Sequence, residues 1–272
     1  MSVVRIGGVD LYSEVAGPEH GEPVLLLHGG FCSLESMRPQ AEALAGSHRV
    51  FAFERPGHGR SADIDEEYSY ARSLSDTLGY LDAHGLGAVH VVGYSDGAIL
   101  GLLLAMRHPE RVRSLVAISA NLDPSAFTFS DSADPETAVM LAPARERAPE
   151  ATEAPRTVVG DDPSPDPQPD AERMLYERLS PDGPAHADVV LAKLIRLWTT
   201  EPHIAPAELE AIAAPTLVMA GDRDTIRPDH TLRIAASIPG AQLCLVPGTT
   251  HSLIAERPAL VTTLLQGFLS TP

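Results

Sequence analysis

The sequence predicts an α/β protein with a doubly wound, mostly parallel sheet. In the first part of the chain, short apolar runs rich in Val, Leu and Ile alternate with amphipathic stretches, and the alternation resumes after Pro206. Continuously apolar runs of this length are typical of strands that are buried on both faces of a parallel sheet. Because strand and helix alternate along the chain, right-handed crossovers should place helices on both faces of that sheet.

Each element can be placed from this alternation. The predicted strands are VLLLH at 24–28, RVFAF at 49–53, AVHVV at 88–92, SLVAIS at 114–119, PTLVMAGD at 215–222 and QLCLVPG at 242–248. Turn residues bound each of these runs. Helices are predicted at 69–86, at 96–108, from about 228 to 237 and from about 255 to 269. In the first helix the leucines are Leu74, Leu78, Leu81 and Leu86.

The middle of the chain has a different composition. Residues 121–205 contain no strong strand, and DDPSPDPQPD at 161–170 is too rich in proline and carboxylate to build a packed element. Helices are predicted around 135–148, 171–179 and 185–198. We expect residues 1–120 and 206–272 to form one core domain and residues 121–205 to form an inserted helical lid with a Pro/Asp-rich loop. A disordered linker between two domains is disfavoured, because the last strands need the first half of the sheet as a pairing partner.

Charge and hydropathy exclude several kinds of partner. The formal net charge of -17 disfavours nucleic acids, whose phosphates require a basic surface, and it disfavours anionic membranes. MSVVRIGGVDLYSEV lacks the basic start and continuous apolar core of a signal peptide, and no apolar run approaches the length of a bilayer span. We therefore expect a cytoplasmic protein, a monomer or homodimer, whose partner is a small-molecule substrate.

No cofactor or metal is predicted. Cys32 and Cys244 lie far apart and form no C-x-x-C pair, so we expect reduced thiols, and no histidine pair has metal-ligand spacing. GHGRSA at 57–62 formally matches a dinucleotide fingerprint. DIDEEY follows it at once, and its carboxylates would repel a pyrophosphate.

The run HVVGYSDGAIL at 90–100 carries the strongest chemical signal. Gly93 and Gly97 flank Ser95 symmetrically at the point where a predicted strand turns into a predicted helix. G-x-S-x-G in this context is the signature of a nucleophile elbow, a strained turn that lifts the serine hydroxyl above the sheet edge. The helix that begins at Asp96 also directs free N–H groups towards whatever lies over Ser95.

A nucleophilic serine needs a base and a residue that orients the base. MAGDRD ends one predicted strand and GTTHSL follows another, at the carboxyl ends where open α/β sheets place their sites. We assign Asp224 as the orienting acid, with Asp222 as the weaker alternative. We assign His251 as the base, because His230, the alternative, falls inside a predicted helix.

From about residue 21 to 268, the chain resembles the α/β-hydrolase superfamily. HGG at 28–30 resembles its oxyanion turn, ERPGHGRS at 54–61 resembles its D-x-R-G-x-G-x-S loop, and GYSDG, GDRD and GTTH resemble its triad motifs. The resemblance implies a Ser-Asp-His triad, with oxyanion donors at the backbone N–H groups of Gly30 and Asp96. For His28, a structural role with hydrogen bonds to nearby backbone is favoured over a role as a proton shuttle. Glu54 stands where aspartate is usual, and the lid is unusually rich in proline and acid, which leaves the substrate open.

Two sets of side chains keep alternative interpretations. The Asp96 carboxylate is either a solvated or hydrogen-bonded acid at a helix N-terminus, which is favoured, or an anionic wall that selects substrates with an ammonium group. A second set of side chains either lines the substrate pocket or simply packs in the lid: Phe31, Tyr94, Met140 and Trp198.

The resemblance and the triad residues together predict a cofactor-free serine hydrolase of the esterase, lactonase or amidase kind. Two alternatives stay open. One is a different reaction at the same triad, such as carbon–carbon bond hydrolysis, thioester cleavage or perhydrolysis. The other is a small-molecule binding protein or receptor in which turnover is slow.

Overall fold

The residues that the structure describes form an eight-stranded sheet in the order β1-β2-β4-β3-β5-β6-β7-β8. The computed structural model describes residues 2–127 and 170–270. The strands are β1 Ser2–Ile6, β2 Val9–Ala16, β3 Pro23–Leu27, β4 Arg49–Phe53, β5 Val89–Tyr94, β6 Val112–Ile118, β7 Thr216–Gly221 and β8 Gln242–Val246. β2 pairs antiparallel with both β1 and β4, and every other pairing is parallel. The predicted fold class is confirmed.

Helices cover both faces of this sheet. They are α1 Arg38–Leu44, α2 Tyr70–Ala83, α3 Asp96–Arg107, α4 Asp170–Leu179, α5 Ala187–Thr200, α6 Pro228–Ser237, α7 Leu253–Glu256 and α8 Pro258–Leu269. One apolar cluster joins the sheet to α2, α3, α5 and α6, and a second joins the opposite face to α1, α7 and α8. The sheet is therefore the middle of three layers.

The central strands are apolar throughout because each of their faces meets a different cluster. In β3, Leu25 and Leu27 belong to the first cluster, whereas Val24 and Leu26 belong to the second. Successive side chains of a strand point to opposite faces, so a strand buried on both sides has no position for a polar residue. This arrangement explains why the apolar runs located the parallel strands correctly.

Two parts of the fold lie outside the predicted pattern. The β1–β2 hairpin was not predicted, because its strands lie at the sheet edge and mix buried with exposed residues. The predicted final helix at 255–269 is interrupted by Pro258 into α7 and α8. Proline has no N–H for the hydrogen bond of a continuous helix, but it fits the first position of a new one.

The described part of the predicted lid contains α4, α5, the turns that join them, and residues 121–127 and 201–205 at its two ends. These helices agree with the predictions at 171–179 and 185–198. The predicted helix at 135–148 and the predicted loop up to residue 169 lie outside the described residues. The division into a core and a lid therefore stays a prediction.

A buried charge cluster at Asp63 fastens α5 to the loop that follows β4. Asp63 Oδ2 lies 2.9 Å from Lys193 Nζ and 2.8 Å from His186 Nε2, and Asp63 Oδ1 accepts a hydrogen bond from the Tyr68 hydroxyl. The side chains of Lys193 and Asp63 are only 7% and 6% exposed. Removing one partner would leave the other charge buried without compensation, so the middle of α5 is held firmly to the loop that carries Asp63.

Lys193→Met should lower the free energy of unfolding by about 3–5 kcal/mol, because it leaves Asp63 buried without its cation. Arg196→Met is the matched control on the same helix, since its ion pair with Glu67 is exposed on both sides. The control should cost about 0–1 kcal/mol. Urea unfolding curves measure both values, and equal losses for the two variants would contradict the buried anchor.

The stabilising effect of Asp63 should depend on pH. Burial acts to raise the pKa of this carboxyl, but hydrogen bonds from Tyr68, Lys193 and His186 leave it below its ordinary value. A lowered folded-state pKa means that the stabilisation is present above the unfolded value of roughly 4 and is lost as the pH falls through the folded-state pKa. Asp63→Asn should therefore be less stable than the wild type at pH 7, and the difference should shrink in acid.

Candidate active site

Ser95 occupies a sharp turn between β5 and α3, with φ 54° and ψ -119°. A positive φ at a residue other than glycine costs on the order of 1–3 kcal/mol and persists only where the surroundings enforce it. Here the enforcement comes from close packing. A Cβ on Gly97 would overlap the Leu27 carbonyl, and a Cβ on Gly93 would overlap the Gly97 carbonyl. Both flanking glycines are therefore required for the approach of strand and helix.

The structure brings Ser95, His251 and Asp224 into one hydrogen-bonded chain. His251 Nε2 lies 3.0 Å from Ser95 Oγ, and His251 Nδ1 lies 2.7 Å from Asp224 Oδ1. A carboxylate can only accept, so Nδ1 carries the proton and Nε2 is left to accept from the serine hydroxyl. Asp224 follows β7 and His251 follows β8, so all three residues lie at the carboxyl edge of the sheet.

Asp224 is fully buried and held on both carboxylate oxygens. Oδ1 also accepts a hydrogen bond from the Ile226 N–H at 2.9 Å, and Oδ2 accepts one from the Ser119 hydroxyl at 2.6 Å. Burial acts to raise the pKa of this carboxyl, but His251, the Ile226 N–H and Ser119 together hold it below its ordinary value. Asp224 is thus kept ionised beside the imidazole.

The alternative acid and base lie elsewhere. Asp222 is exposed, and its Oδ1 accepts hydrogen bonds from the N–H groups of Gly248 and Thr249 in the loop that leads to His251. His230 is buried in α6. The imidazole at Ser95 Oγ and the carboxylate at that imidazole are those of His251 and Asp224.

Ser119 is a site residue that the sequence analysis did not single out. It directly follows β6, is 1% exposed and has a φ of 57°. A serine that ends a predicted central strand at the carboxyl edge, next to the strand that carries the acid, is a signal that could have identified it. Its hydroxyl reaches Asp224 because β6 and β7 are paired neighbours.

The two residues expected to supply oxyanion donors lie side by side. Gly30 follows β3, and Asp96 is the first residue of α3. A Cβ on Gly30 would lie 2.6 Å from Asp96 Oδ2 and 2.5 Å from the Trp198 indole, so only glycine fits at this position. Two predicted features, the oxyanion turn and the lid helix α5, therefore meet directly above the start of α3.

His28 makes backbone contacts at the base of the same turn. Its Nδ1 lies 2.7 Å from the Gly29 carbonyl oxygen, and its Nε2 accepts a hydrogen bond from the Arg55 N–H at 3.1 Å. Complete burial and the neighbouring Arg55 charge hold the pKa of His28 well below its ordinary value. The His28 ring thus contacts the backbone on both nitrogens, as expected of the structural role, which stays a prediction.

The Asp96 carboxylate is hydrogen-bonded and not solvated. The residue is 3% exposed, and its Oδ1 accepts hydrogen bonds from the Tyr70 hydroxyl at 2.9 Å and from Trp198 Nε1 at 3.0 Å. Burial and the Asp96 charge raise the pKa of Tyr70 well above its ordinary value, so this phenol stays a proton donor. The contact with Trp198 ties α5 to the turn that carries Ser95.

The remaining pocket candidates have different surroundings. The Phe31 ring stacks on Tyr176 of α4 with 5.4 Å between ring centroids. Tyr94 is buried, and its hydroxyl donates to the backbone carbonyl of His251 at 3.1 Å, so it supports the loop of the base. Met140 lies outside the described residues.

The described part of the chain contains no cluster of three or more His, Cys, Asp or Glu side chains that could hold a metal ion. Cys32 and Cys244 are free thiols. None of the helices in residues 2–127 and 170–270 is long and apolar enough to cross a membrane.

Comparison with known proteins places the chain in a family. Residues 22–258 match the model for the alpha/beta hydrolase fold, so the chain belongs to the α/β-hydrolase family. A putative carbamate hydrolase, RutD, of Azorhizobium caulinodans is 30% identical over 268 residues, which cover 96% of each protein. The resemblance stated from the sequence motifs is thereby confirmed.

Solved structures share the same fold. The enol-lactonase of Burkholderia xenovorans LB400 superposes with a TM-score of 0.75 at 22% identity, over 99% of this chain and all of that one. CarC, described as a serine hydrolase involved in carbazole degradation, superposes with a TM-score of 0.73 at 25% identity, over 98% and 97% of the two chains.

Ser119→Ala should lower kcat about tenfold and leave KM within about twofold, because a hydrogen bond to a charged group contributes about 1.5–3 kcal/mol. The loss frees one oxygen of Asp224, which then orients His251 less well. Hydrolysis of p-nitrophenyl acetate measures both constants. Ser114→Ala, a buried serine at the opposite end of the same strand, is the matched control and should not change kcat. An unchanged kcat in Ser119→Ala would show that Asp224 needs no such support.

Proposed function

We propose that this protein is a cofactor-free serine hydrolase that cleaves a carboxylic ester, lactone or amide of a small molecule through an acyl-enzyme. The observation that carries the proposal is the hydrogen-bonded chain from Ser95 Oγ through His251 to Asp224 at an enforced turn. Membership of the α/β-hydrolase family and relatives named as small-molecule hydrolases support the general activity.

The first half of the reaction forms the acyl-enzyme. His251 Nε2 takes the proton of the Ser95 hydroxyl while Oγ attacks the substrate carbonyl carbon. The resulting tetrahedral intermediate carries a negative oxygen. It collapses as the bond to the leaving group breaks, and His251 gives its proton to that group. Asp224 keeps Nδ1 protonated and stabilises the positive imidazolium while it exists.

The second half restores the enzyme by the reverse proton path. His251 Nε2 takes a proton from a water molecule, whose oxygen attacks the acyl carbon. The bond between the acyl carbon and Ser95 Oγ breaks, the carboxylic acid leaves, and Oγ recovers its proton from His251. The water supplies both the oxygen of the new acid and the proton that replaces the one given to the leaving group.

The negative oxygen of each intermediate would be held by the backbone N–H groups of Gly30 and Asp96. Asp96 begins α3, so its N–H is one of the groups that an α-helix leaves without an internal partner. Each such donor is typically worth about a hundredfold to a thousandfold in rate. The close approach of the Asp96 side chain to Gly30 supports a common position for the two donors.

The names of the relatives suggest which acyl derivatives to test first. One relative is named a putative carbamate hydrolase, and the carbonyl of a carbamate carries an oxygen and a nitrogen. We propose a small substrate whose carbonyl likewise carries such a heteroatom. Initial rates with matched short acyl esters, lactones, carbamates, thioesters and a carbon–carbon substrate would rank the reaction types, and preferential carbon–carbon cleavage would replace the ester proposal.

Ser95→Ala should abolish both hydrolysis of p-nitrophenyl acetate and labelling by a fluorophosphonate probe, since the probe reacts only with an activated hydroxyl. Asp224→Asn should lower kcat about 10³- to 10⁴-fold, because the histidine then adopts the wrong tautomer.

Asp222→Asn is the matched control for the acid. Its carboxylate contacts loop N–H groups and not the imidazole, so kcat should fall less than about fivefold. An intact wild-type protein that neither turns over any ester nor reacts with the probe would instead support the slow-turnover binding protein. Equal losses in Asp222→Asn and Asp224→Asn would contradict the assigned triad.

A further inference from the structure

The Asp96 side chain creates an electrostatic problem for the proposed chemistry. Its Oδ2 lies so near Gly30 that a Cβ on this glycine would be only 2.6 Å away, so a buried carboxylate lies beside the turn that would donate to the oxyanion. Among the described residues, Oδ2 has no hydrogen-bond partner. A fixed negative charge beside a developing negative charge opposes the reaction, and the effect is large where water is excluded.

Arg55 lies where it can offset this charge. Its Nη2 is 3.7 Å from Asp96 Oδ2, and the two side chains are only 5% and 4% exposed. The rings of His28 and His58 lie next to each other beside this pair, 5.1 Å apart. Burial and the Arg55 charge lower the pKa of both imidazoles, to about 3 for His58, so both stay neutral. Arg55 is therefore the cation of this cluster.

Arg55 also supports the turn that carries Gly30. Its Nη2 donates a hydrogen bond to the Gly29 carbonyl at 2.8 Å, and its backbone N–H donates to His28 Nε2. One guanidinium nitrogen thus contacts the oxyanion turn on one side and approaches the Asp96 carboxylate on the other. Since Arg55 lies beneath the turn and not at Ser95, it would act through Gly30 and Asp96.

We propose that Arg55 is a positioning residue of the oxyanion hole: its charge offsets that of Asp96, and its hydrogen bond to Gly29 holds the Gly30 N–H in place. This inference rests on the proposed function. It assigns Asp96 an internal cationic partner, so the carboxylate is not a receptor for a substrate ammonium group. The carboxylate is retained because it binds Trp198 and Tyr70 and so holds α5 over the site.

A double-mutant cycle with Arg55→Met, Asp96→Asn and the double variant tests the charge coupling. The readouts are kcat/KM for p-nitrophenyl acetate and the inhibition constant of phenylboronic acid. Phenylboronic acid is neutral when free and becomes a tetrahedral anion on a serine oxygen, so its affinity reports stabilisation of negative charge. Fluorophosphonate titration of each preparation counts the folded, reactive sites.

Arg55→Met should weaken phenylboronic acid on the order of 10- to 100-fold, because the Asp96 charge is then uncompensated. Asp96→Asn keeps an acceptor for Trp198 and Tyr70 but removes the charge, so it should tighten the inhibitor about threefold. The double variant should bind phenylboronic acid at least about tenfold more tightly than Arg55→Met does. Arg60→Met is the control in the same loop, since Arg60 pairs with Glu54 and Glu35, and its inhibitor affinity should stay within about twofold.

The other possible results would overturn the inference. If the effects of the two substitutions on inhibitor affinity simply add in the double variant, the charge coupling is overturned. A selective loss of kcat/KM for amine-bearing esters in Asp96→Asn would show that the carboxylate binds substrate. If Arg55→Met does not fold, Arg55→Lys retains the charge and Asp96→Asn alone must still tighten the inhibitor; a weaker inhibitor in Asp96→Asn would overturn the inference. A wild-type protein without esterase activity or probe labelling would overturn the proposed function itself, and this inference with it.

Discussion

The active-site geometry depends on one crowded contact, in which β5, α3 and the end of β3 approach each other around Gly93 and Gly97. The carbonyl oxygens of Leu27 and Gly97 occupy the space that side chains at these positions would need. Because strand and helix are this close, Ser95 is held at a positive φ with its hydroxyl towards His251. The same contact sets the first N–H groups of α3 beside the turn at Gly30.

Charges around this corner are arranged so that each has a defined partner. Asp224 is ionised, buried and hydrogen-bonded on both oxygens, which suits it to hold an imidazole that becomes positive during the proposed reaction. On the opposite side of Ser95, Asp96 faces Arg55, whose charge also contributes to keeping His28 and His58 neutral. The site therefore has two separate charged groups: the Asp224 carboxylate beside His251, and the Asp96–Arg55 pair near the turn at Gly30.

Two polar contacts hold helix α5 against this corner and against the loop that carries Asp63. At its middle Lys193 is held by Asp63, and near its C-terminal end the Trp198 indole packs against Gly30 and donates to Asp96. Two buried polar contacts thus hold one helix against the core, and one of them involves the residue that follows the nucleophile. A change in the packing of α5 would be transmitted directly to the oxyanion turn.

The sequence by itself determined the parallel strands, because strands buried on both faces are continuous apolar runs. It also predicted the turn at Ser95 and, from the residues that follow the strands, Asp224 and His251, which the structure places in one hydrogen-bonded chain with Ser95. It could not place the β1–β2 hairpin, whose edge strands mix buried and exposed residues. The place of Ser119 at the end of a central strand was a usable signal in the sequence. Its contact with Asp224 and the contact of Arg55 with Asp96, which join positions 105 and 41 residues apart, are nevertheless seen only in the folded chain. Only tertiary packing decides such contacts, since a side chain's charge partner is set by which loops share the carboxyl edge of the sheet.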